Sequence, residues 1–240
     1  MQPLPPTPPA GASKDSLRRH YRQLRRQSLP QAGPALLEVL ATALPQALEA
    51  ADAQSDAQAD AQSEDLVATA HADALMATAQ AKPRSGPSRL GLYWPVGHEP
   101  DWRPLLERWP EALRQRLALP VVRSVGGVGR LTYGAWHPAD PLRADGCGIP
   151  APVAAAPLQA HQLALLLVPA LAIDQRGIRL GSGGGWYDRL RADPAWRQVP
   201  ALAVLPAACL APSLPTDPWD VPFTGWLDET GGPTKVSGFD

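Results

Sequence analysis

The sequence predicts a doubly wound α/β fold: a mostly parallel sheet with helices on both faces, in a single domain that carries a disordered insertion. Three observations lead there. Two short apolar runs, Leu163 to Val168 and Ala201 to Leu205, are of the kind buried on both faces of a parallel sheet. Segments with apolar residues at helical spacing alternate with such runs. A glycine-rich loop follows the first run, on the carboxyl edge where these sheets bind ligands.

Taken in order, the elements divide the 240 residues into unequal parts. Residues 1–13 open with Met1-Gln-Pro-Leu-Pro-Pro-Thr-Pro-Pro-Ala10, a polyproline-like tail without the charged-then-apolar layout of a signal segment. Residues 14–50 hold two expected helices. The first spans 14–29, with Leu17, Tyr21 and Leu24 on one face and Ser13 as N-cap. The second runs from Ala35 to Ala50, with a kink or break expected at Pro45. Residues 51–89 read as a low-complexity insertion. Asp52 to Ser63 repeats a small polar unit with nothing apolar larger than alanine, too little to offset the entropy of ordering it. A marginal helix carrying Leu66, Val67, Leu75 and Met76 follows, and Lys82 to Ser88 reads as linker.

Residues 90–230 form the expected α/β body, and residues 231–240 a flexible tail. Leu90 to Trp94 reads as a strand ending in a turn at Pro95 to His98. Trp102 to Leu117 reads as a helix presenting Leu105, Leu106, Trp109 and Leu113. Leu117 to Val122 and Leu131 to Trp136 complete the strands ahead of the two apolar runs.

Charge and composition exclude several function classes. A formal net charge of -1 argues against bulk electrostatic binding to nucleic acid or anionic membranes. The longest apolar stretch, Leu163 to Ile173, is broken by Pro169 and falls short of the roughly 18–20 residues of a membrane span. Cys147 and Cys209 lie far apart with no metal-type spacing, which suits reduced thiols and a cytoplasmic location. The histidines show no metal spacing either, and a monomer acting on small molecules is expected.

The chemistry concentrates in Arg179-Leu-Gly-Ser-Gly-Gly-Gly-Trp-Tyr-Asp188. Gly181, Gly183, Gly184 and Gly185 remove Cβ atoms from one loop, so backbone N–H groups can approach an anion closely. Arg179 supplies a planar cation before the turn, and Asp188 a hard oxygen ligand after it. A helix starting near Asp188 would add its positive end. Cation, bare backbone, aromatic and carboxylate in that order suit a nucleotide phosphate with its magnesium. The Walker loop is excluded because Trp186-Tyr187 stands where Lys-Ser or Lys-Thr is required. The dinucleotide fingerprint is excluded because Trp186 stands at its third glycine. A plain glycine turn between strand and helix is the alternative.

The string from Val168-Pro-Ala-Leu-Ala-Ile-Asp174 through Gly177 to Asp188 resembles the signature of the 5-formyltetrahydrofolate cyclo-ligase family, also called 5,10-methenyltetrahydrofolate synthetases. Three further segments agree in order and spacing. Lys14-Asp-Ser-Leu-Arg18 resembles the opening whose lysine and arginine contact ATP phosphates; one helical turn puts both cations on one side. Tyr93-Trp-Pro-Val-Gly-His-Glu99 resembles a folate-binding segment. Leu214-Pro-Thr-Asp-Pro-Trp-Asp220 resembles the segment whose aspartate joins the glycine-loop aspartate in holding magnesium.

The resemblance implies an ATP- and Mg2+-dependent enzyme that converts 5-formyltetrahydrofolate to 5,10-methenyltetrahydrofolate. It assigns ATP to Lys14, Arg18, Arg179, Leu180, Gly181, Ser182, Gly183, Gly184, Gly185, Trp186 and Tyr187, with Arg179 and Lys14 catalytic. It assigns the folate to Trp94, Glu99, Gly183, Gly185 and Tyr187, and the metal to Asp188 and Asp220, with Asp217 as the fallback ligand.

The chain departs from the pattern at Ala151, where glutamate is common, at Trp219, where histidine is common, and at Thr224, where a second aspartate is frequent. Ala170, Ile173 and Gly184 are milder departures. Alternatives from the residues alone remain a sugar-phosphate isomerase or transferase, which needs no ATP, and a folate- or nucleotide-binding protein that releases no phosphate. The basic first helix, with Arg19, Arg22, Arg25 and Arg26, also admits a solvated face or a weak nucleic-acid contact.

Overall fold

The apolar runs form the centre of a six-stranded sheet in the computed structural model, which describes residues 11–68 and 88–232. In chain order the strands are β1 Arg89–Gly91, β2 Leu117–Val125, β3 Val128–Trp136, β4 Arg143–Ala144, β5 Pro150–Ala151, β6 Leu163–Pro169, β7 Ala172–Asp174, β8 Arg179–Leu180, β9 Ala201–Val204, β10 Leu210–Ala211 and β11 Gly225–Leu227. The main sheet is ordered β11-β9-β6-β1-β2-β3, parallel except for the β2–β3 hairpin at one edge. From β1 the chain moves outward to β2 and β3; from β6 it moves the other way, to β9 and β11. The direction reverses between β1 and β6, which opens a crevice at their carboxyl ends. A small sheet ordered β10-β7-β8 stands just past the end of β6, and β4 pairs with β5.

Each central strand serves two cores because successive side chains point to opposite faces. Leu166 and Val168 of β6 enter one cluster, and Leu165 and Leu167 the other; Ala203 and Leu202 of β9 divide the same way. Helices cover both faces, as the doubly wound pattern requires. The helices are α1 Lys14–Ala68, α2 Glu111–Arg114, α3 Trp186–Ala192 and α4 Pro194–Arg197.

The two expected N-terminal helices are a single one. α1 starts at Lys14, where the Ser13 hydroxyl accepts the Ser16 N–H at 3.3 Å, and runs through Pro30, Pro34 and Pro45. Leu17, Tyr21 and Leu24 pack into the first cluster, while Leu36, Leu40, Leu44 and Leu48 pack into the second. Burying those four leucines contributes roughly 2 kcal/mol each. That is comparable to the cost of three interior prolines at about 3 kcal/mol each, so packing on both sides carries the helix through.

The helix also continues past Ala50 into the polar repeat, where irregular chain is expected. Arg116 forks onto the Asp52 carboxylate at 2.6 and 2.7 Å and ties that turn to the sheet. Beyond it, alanine and glutamine favour helix by their own propensity. The expectations for residues 1–10, 69–87 and 233–240, including Leu75 and Met76, lie outside the described residues.

The helix expected over Trp102 to Leu117 is broken instead. Residues 103–107 form a 3-10 turn, and α2 begins only after Pro110, which lacks the N–H needed to continue the first segment. The apolar face survives the break: Leu105, Trp109 and Leu113 are all buried.

Candidate active site

Beyond β6 the chain makes the short β7–β8 pair before the glycine loop begins. Asp174 and Gly177 shape the turn of that pair, and β8 delivers Arg179 to the loop's start. The Arg179 side chain is 6% exposed; it donates to the Pro169 carbonyl at 3.1 Å and to Asp188 at 3.3 Å. Its guanidinium lies 5.5 Å from the Tyr187 ring and 5.4 Å from the Phe223 ring. A Cβ on Gly181 would fall 2.8 Å from both terminal nitrogens of Arg179 and would displace the guanidinium, while Gly183, with φ +111, needs glycine for its backbone conformation. The following helix, α3, starts at Trp186, two residues before the expected Asp188.

The first turns of α1 close over this loop. Arg18 donates to the Gly181 carbonyl at 3.3 Å, and Arg22 to the Ser182 carbonyl at 2.9 Å. Lys14, one turn earlier, reaches Asp217 at 2.6 Å and Asp220 at 2.8 Å. Partial burial lowers the Lys14 pKa, but the two carboxylates outweigh it and hold the ammonium above its ordinary value. Asp220 also accepts the Asp217 N–H at 2.8 Å, so the two carboxylates and the ammonium form one compact unit.

On the β1 side, Trp102 donates to the Tyr93 carbonyl and the Tyr93 hydroxyl to the Pro100 carbonyl, each at 2.6 Å. These bonds fix the loop that carries Trp94 and Glu99. Glu99 accepts the Val96 N–H at 3.0 Å. Burial raises its pKa, against the opposing pull of that N–H, of Arg25 and of Arg179. Burial and the charge of Glu99 likewise push the Tyr187 hydroxyl above its ordinary value. Asp145 pins the loop between β4 and β5 against β2, accepting from Val122, Cys147 and Ile149 N–H groups at 2.7, 2.8 and 3.1 Å.

These pieces enclose a cleft of about 430 Å³, the size of a cofactor site. Every residue of the sequence-based site lines it: Lys14, Arg18, Trp94, Glu99, the loop from Arg179 to Tyr187, Asp188 and Asp220. Sequence reasoning gave no individual role to the apolar residues Val96, Pro120, Val122, Leu131 and Ile149 of the cleft wall, although Val96 lies inside the Tyr93–Glu99 segment. It also missed that Arg22 joins the loop contacts, although the spacing 14, 18, 22 marks one helical stripe.

For the departures, the structure supplies plain roles. Ala151 is fully buried. The Thr224 hydroxyl accepts the Ala201 N–H at 3.0 Å, capping the start of β9. Trp219 is 65% exposed at the rim.

A magnesium ion is compatible with these donors. Among the described residues no group of three metal-type side chains gathers, but magnesium uses one or two carboxylates with phosphate oxygens and water. The Asp217 and Asp220 oxygens already converge on one cationic centre, the Lys14 ammonium. Among the described residues, the Asp188 side chain has one hydrogen-bond partner, Arg179, at 3.3 Å.

Comparison with known proteins identifies the family of the chain. The model of the 5-formyltetrahydrofolate cyclo-ligase family matches residues 10–227. A 5-formyltetrahydrofolate cyclo-ligase of Mycolicibacterium smegmatis is 35% identical over 172 residues, covering 70% of this chain and 87% of that protein. The one from Haemophilus influenzae is 31% identical over 160 residues, covering 65% and 80%. In fold, the chain is similar to the 5,10-methenyltetrahydrofolate synthetase of Aquifex aeolicus, with TM-score 0.61, 21% identity and 95% of each chain covered.

Proposed function

The chain belongs to the 5-formyltetrahydrofolate cyclo-ligase family, and we propose that its cleft makes 5,10-methenyltetrahydrofolate by an ATP- and magnesium-dependent ring closure. The observation that carries the proposal is the single cleft that joins three cations and a bare glycine backbone to an apolar wall with one half-buried carboxylate. In this reading Lys14, Arg18 and Arg179 neutralise the ATP phosphates, and the loop from Gly181 to Gly185 lies against them. Trp94, Glu99 and Tyr187 hold the folate, with Gly183 and Gly185 at the junction of the two ligands.

The formyl oxygen on nitrogen 5 attacks the γ-phosphorus; the bond to the β–γ bridging oxygen breaks and ADP leaves. Nitrogen 10 then attacks the formyl carbon, gives up its proton, and the carbon–oxygen bond breaks to release phosphate. The described cleft offers no Ser-His or Cys-His pair, and neither step needs one. Positioning and charge stabilisation are what the protein must supply.

Asp188 and Asp220 would hold magnesium, with Asp217 next to Asp220, and the ion would supply neutralisation of phosphate charge. Lys14 then has to exchange its aspartates for phosphate when the nucleotide arrives. A cytoplasmic monomer acting on small molecules, without nucleic acid, completes the proposal; the near-neutral charge and two free cysteines support it. Among the described residues, no helix is long and apolar enough to cross a membrane.

The test follows the methenyl chromophore by ultraviolet absorbance with 5-formyltetrahydrofolate, ATP and magnesium. It should grow only when both ATP and magnesium are present, and be lost in Asp188→Ala with circular dichroism unchanged. Folded protein that binds ATP but forms no chromophore would overturn the assignment.

A further inference from the structure

Asp174 does not line the cleft, yet its carboxylate is fully buried and used at both oxygens. Oδ1 accepts the N–H groups of Arg176 at 2.9 Å and Ile178 at 3.2 Å, which closes the turn leading into β8 and Arg179. Oδ2 accepts the Leu214 N–H at 2.9 Å, forty residues along the chain, and the Arg176 guanidinium at 2.7 and 3.1 Å. The same Arg176 donates to the Leu214 carbonyl at 2.6 Å and to the Ser213 hydroxyl at 3.3 Å. Leu214 stands immediately ahead of the segment that carries Asp217 and Asp220.

The tie continues along that segment. Leu210 and Ala211 pair in parallel with Ile173 and Asp174. The Phe223 N–H donates to the Gly177 carbonyl at 2.9 Å, and Arg191 donates to the Pro222 carbonyl at 3.1 Å. The middle of the segment, where Asp217 and Asp220 sit, is held from the other side only by Lys14 among the described ion pairs. Its ends are therefore fixed by the β7–β8 turn, while its middle is held by a cation that the nucleotide would draw away.

We infer that Asp174, acting with Arg176, is a positioning residue that sets the distance between the Arg179 glycine loop and the Asp217–Asp220 carboxylates. The inference rests on the nucleotide reading of the cleft proposed above. An ion pair between a buried carboxylate and a half-exposed guanidinium is a poor source of net stability, because desolvating the carboxylate offsets an attraction that solvent screens. What a carboxylate with two separately committed oxygens does supply is a fixed geometry between two chain segments. Phosphoryl transfer depends on such geometry, since small displacements of the charged groups cost rate steeply.

Asp174→Asn separates the two roles. The asparagine oxygen can still close the turn, but its NH2 then faces the Leu214 N–H and the Arg176 guanidinium, and both bonds are lost. With MgATP as the calorimetric probe, binding should weaken on the order of tenfold or more, as for other residues that orient ligands through a neighbour. Affinity for 5-formyltetrahydrofolate should fall by a clearly smaller factor, because Trp94 and Glu99 sit on a separately fixed loop and only Tyr187, Gly183 and Gly185 belong to the glycine loop. Arg176→Ala, at a side chain 55% exposed, should shift MgATP binding in the same direction by a smaller factor.

A purely structural role would reduce the folded fraction and leave both affinities of the folded protein unchanged. That result, or an equal loss for both ligands, overturns the inference. If Asp174→Asn does not fold, Arg176→Ala decides, and an unchanged MgATP affinity overturns it. Wild-type protein that binds MgATP but forms no methenyl product removes the reaction and leaves the positioning role standing; wild-type protein that binds no MgATP removes both.

Discussion

Along the glycine loop the charges of the cleft already have partners: Lys14 sits on Asp217 and Asp220, Arg179 on Asp188 and the Pro169 carbonyl, Arg18 on Asp15 and the Gly181 carbonyl. The wall on the side of β1, β2 and β3 is the reverse, with Val96, Pro120, Val122 and Leu131 and one half-buried carboxylate, Glu99. The two sides therefore respond differently to a ligand. On the loop side a ligand replaces existing charge pairs, so affinity is a difference between large, opposing interactions. On the apolar side it displaces water, so affinity follows the area covered and the state of a single acid.

The largest effect is expected at Arg179, the least exposed of the three cations. Arg179→Ala should lower kcat on the order of 10²–10³, the usual loss when one preorganised charge is removed from a developing anion. Steady-state methenyl formation measures it; near-normal turnover would place the phosphate cradle elsewhere. Removing Arg179 also leaves Asp188 without its partner, so a drop in Tm should accompany the loss.

Lys14→Met probes the exchange of partners directly. One charge-assisted contact to phosphate is worth about 1.5–3 kcal/mol, so KM for ATP should rise roughly 10- to 100-fold. The same substitution frees Asp217 and Asp220. Manganese, titrated alone and followed by electron paramagnetic resonance, should therefore bind the variant more tightly than wild type. Unchanged manganese binding would remove this carboxylate pair from the metal site.

Glu99→Gln sharpens the other side of the comparison. Because burial raises the Glu99 pKa, the folded state binds the proton more tightly than the unfolded chain does. Stability from this group therefore falls as pH rises through the window above the ordinary glutamate value, and the charged form costs stability at neutral pH. Glu99→Gln should raise Tm slightly at pH 7, show no gain near pH 4, and raise KM for the folate. A lower Tm at pH 7 would mean that Arg25 and Arg179 outweigh the burial.

Both walls were legible in the sequence to different depths, for physical reasons. The loop side announces itself because bare backbone, cations and carboxylates at fixed spacing have few other uses, and all of Lys14, Arg18, Arg179, Asp188 and Asp220 reach one cleft. The apolar wall shows only through the Tyr93–Glu99 segment, since Pro120 and Val122 look like any strand residues until the hairpin places them. The central strands were readable from continuous apolar runs. The antiparallel β3, the fusion of two helices into α1 and the break at Pro110 were not, because each is decided by packing between distant segments. Pro45 and Pro110 show the point: the same residue is carried through a helix where Leu44 and Leu48 are buried on either side, and ends one where a short segment has less to lose.

The smallest effect is expected at Trp219, which lies between the two loop-side aspartates and yet belongs to neither wall. Its side chain is the most exposed of the large apolar residues named at the surface, at 65%, so it contributes little to the folded state. Trp219→Ala should leave Tm unchanged within about 2 °C, since surface substitutions without buried contacts fall within roughly 0.5 kcal/mol. Its neighbours Asp217 and Asp220 keep their backbone and Lys14 contacts without the indole. KM for ATP and for the folate should therefore each move less than about threefold, under 1 kcal/mol. A larger rise for one substrate alone would show that the exposed indole closes over that ligand, and would assign the rim to that side of the cleft.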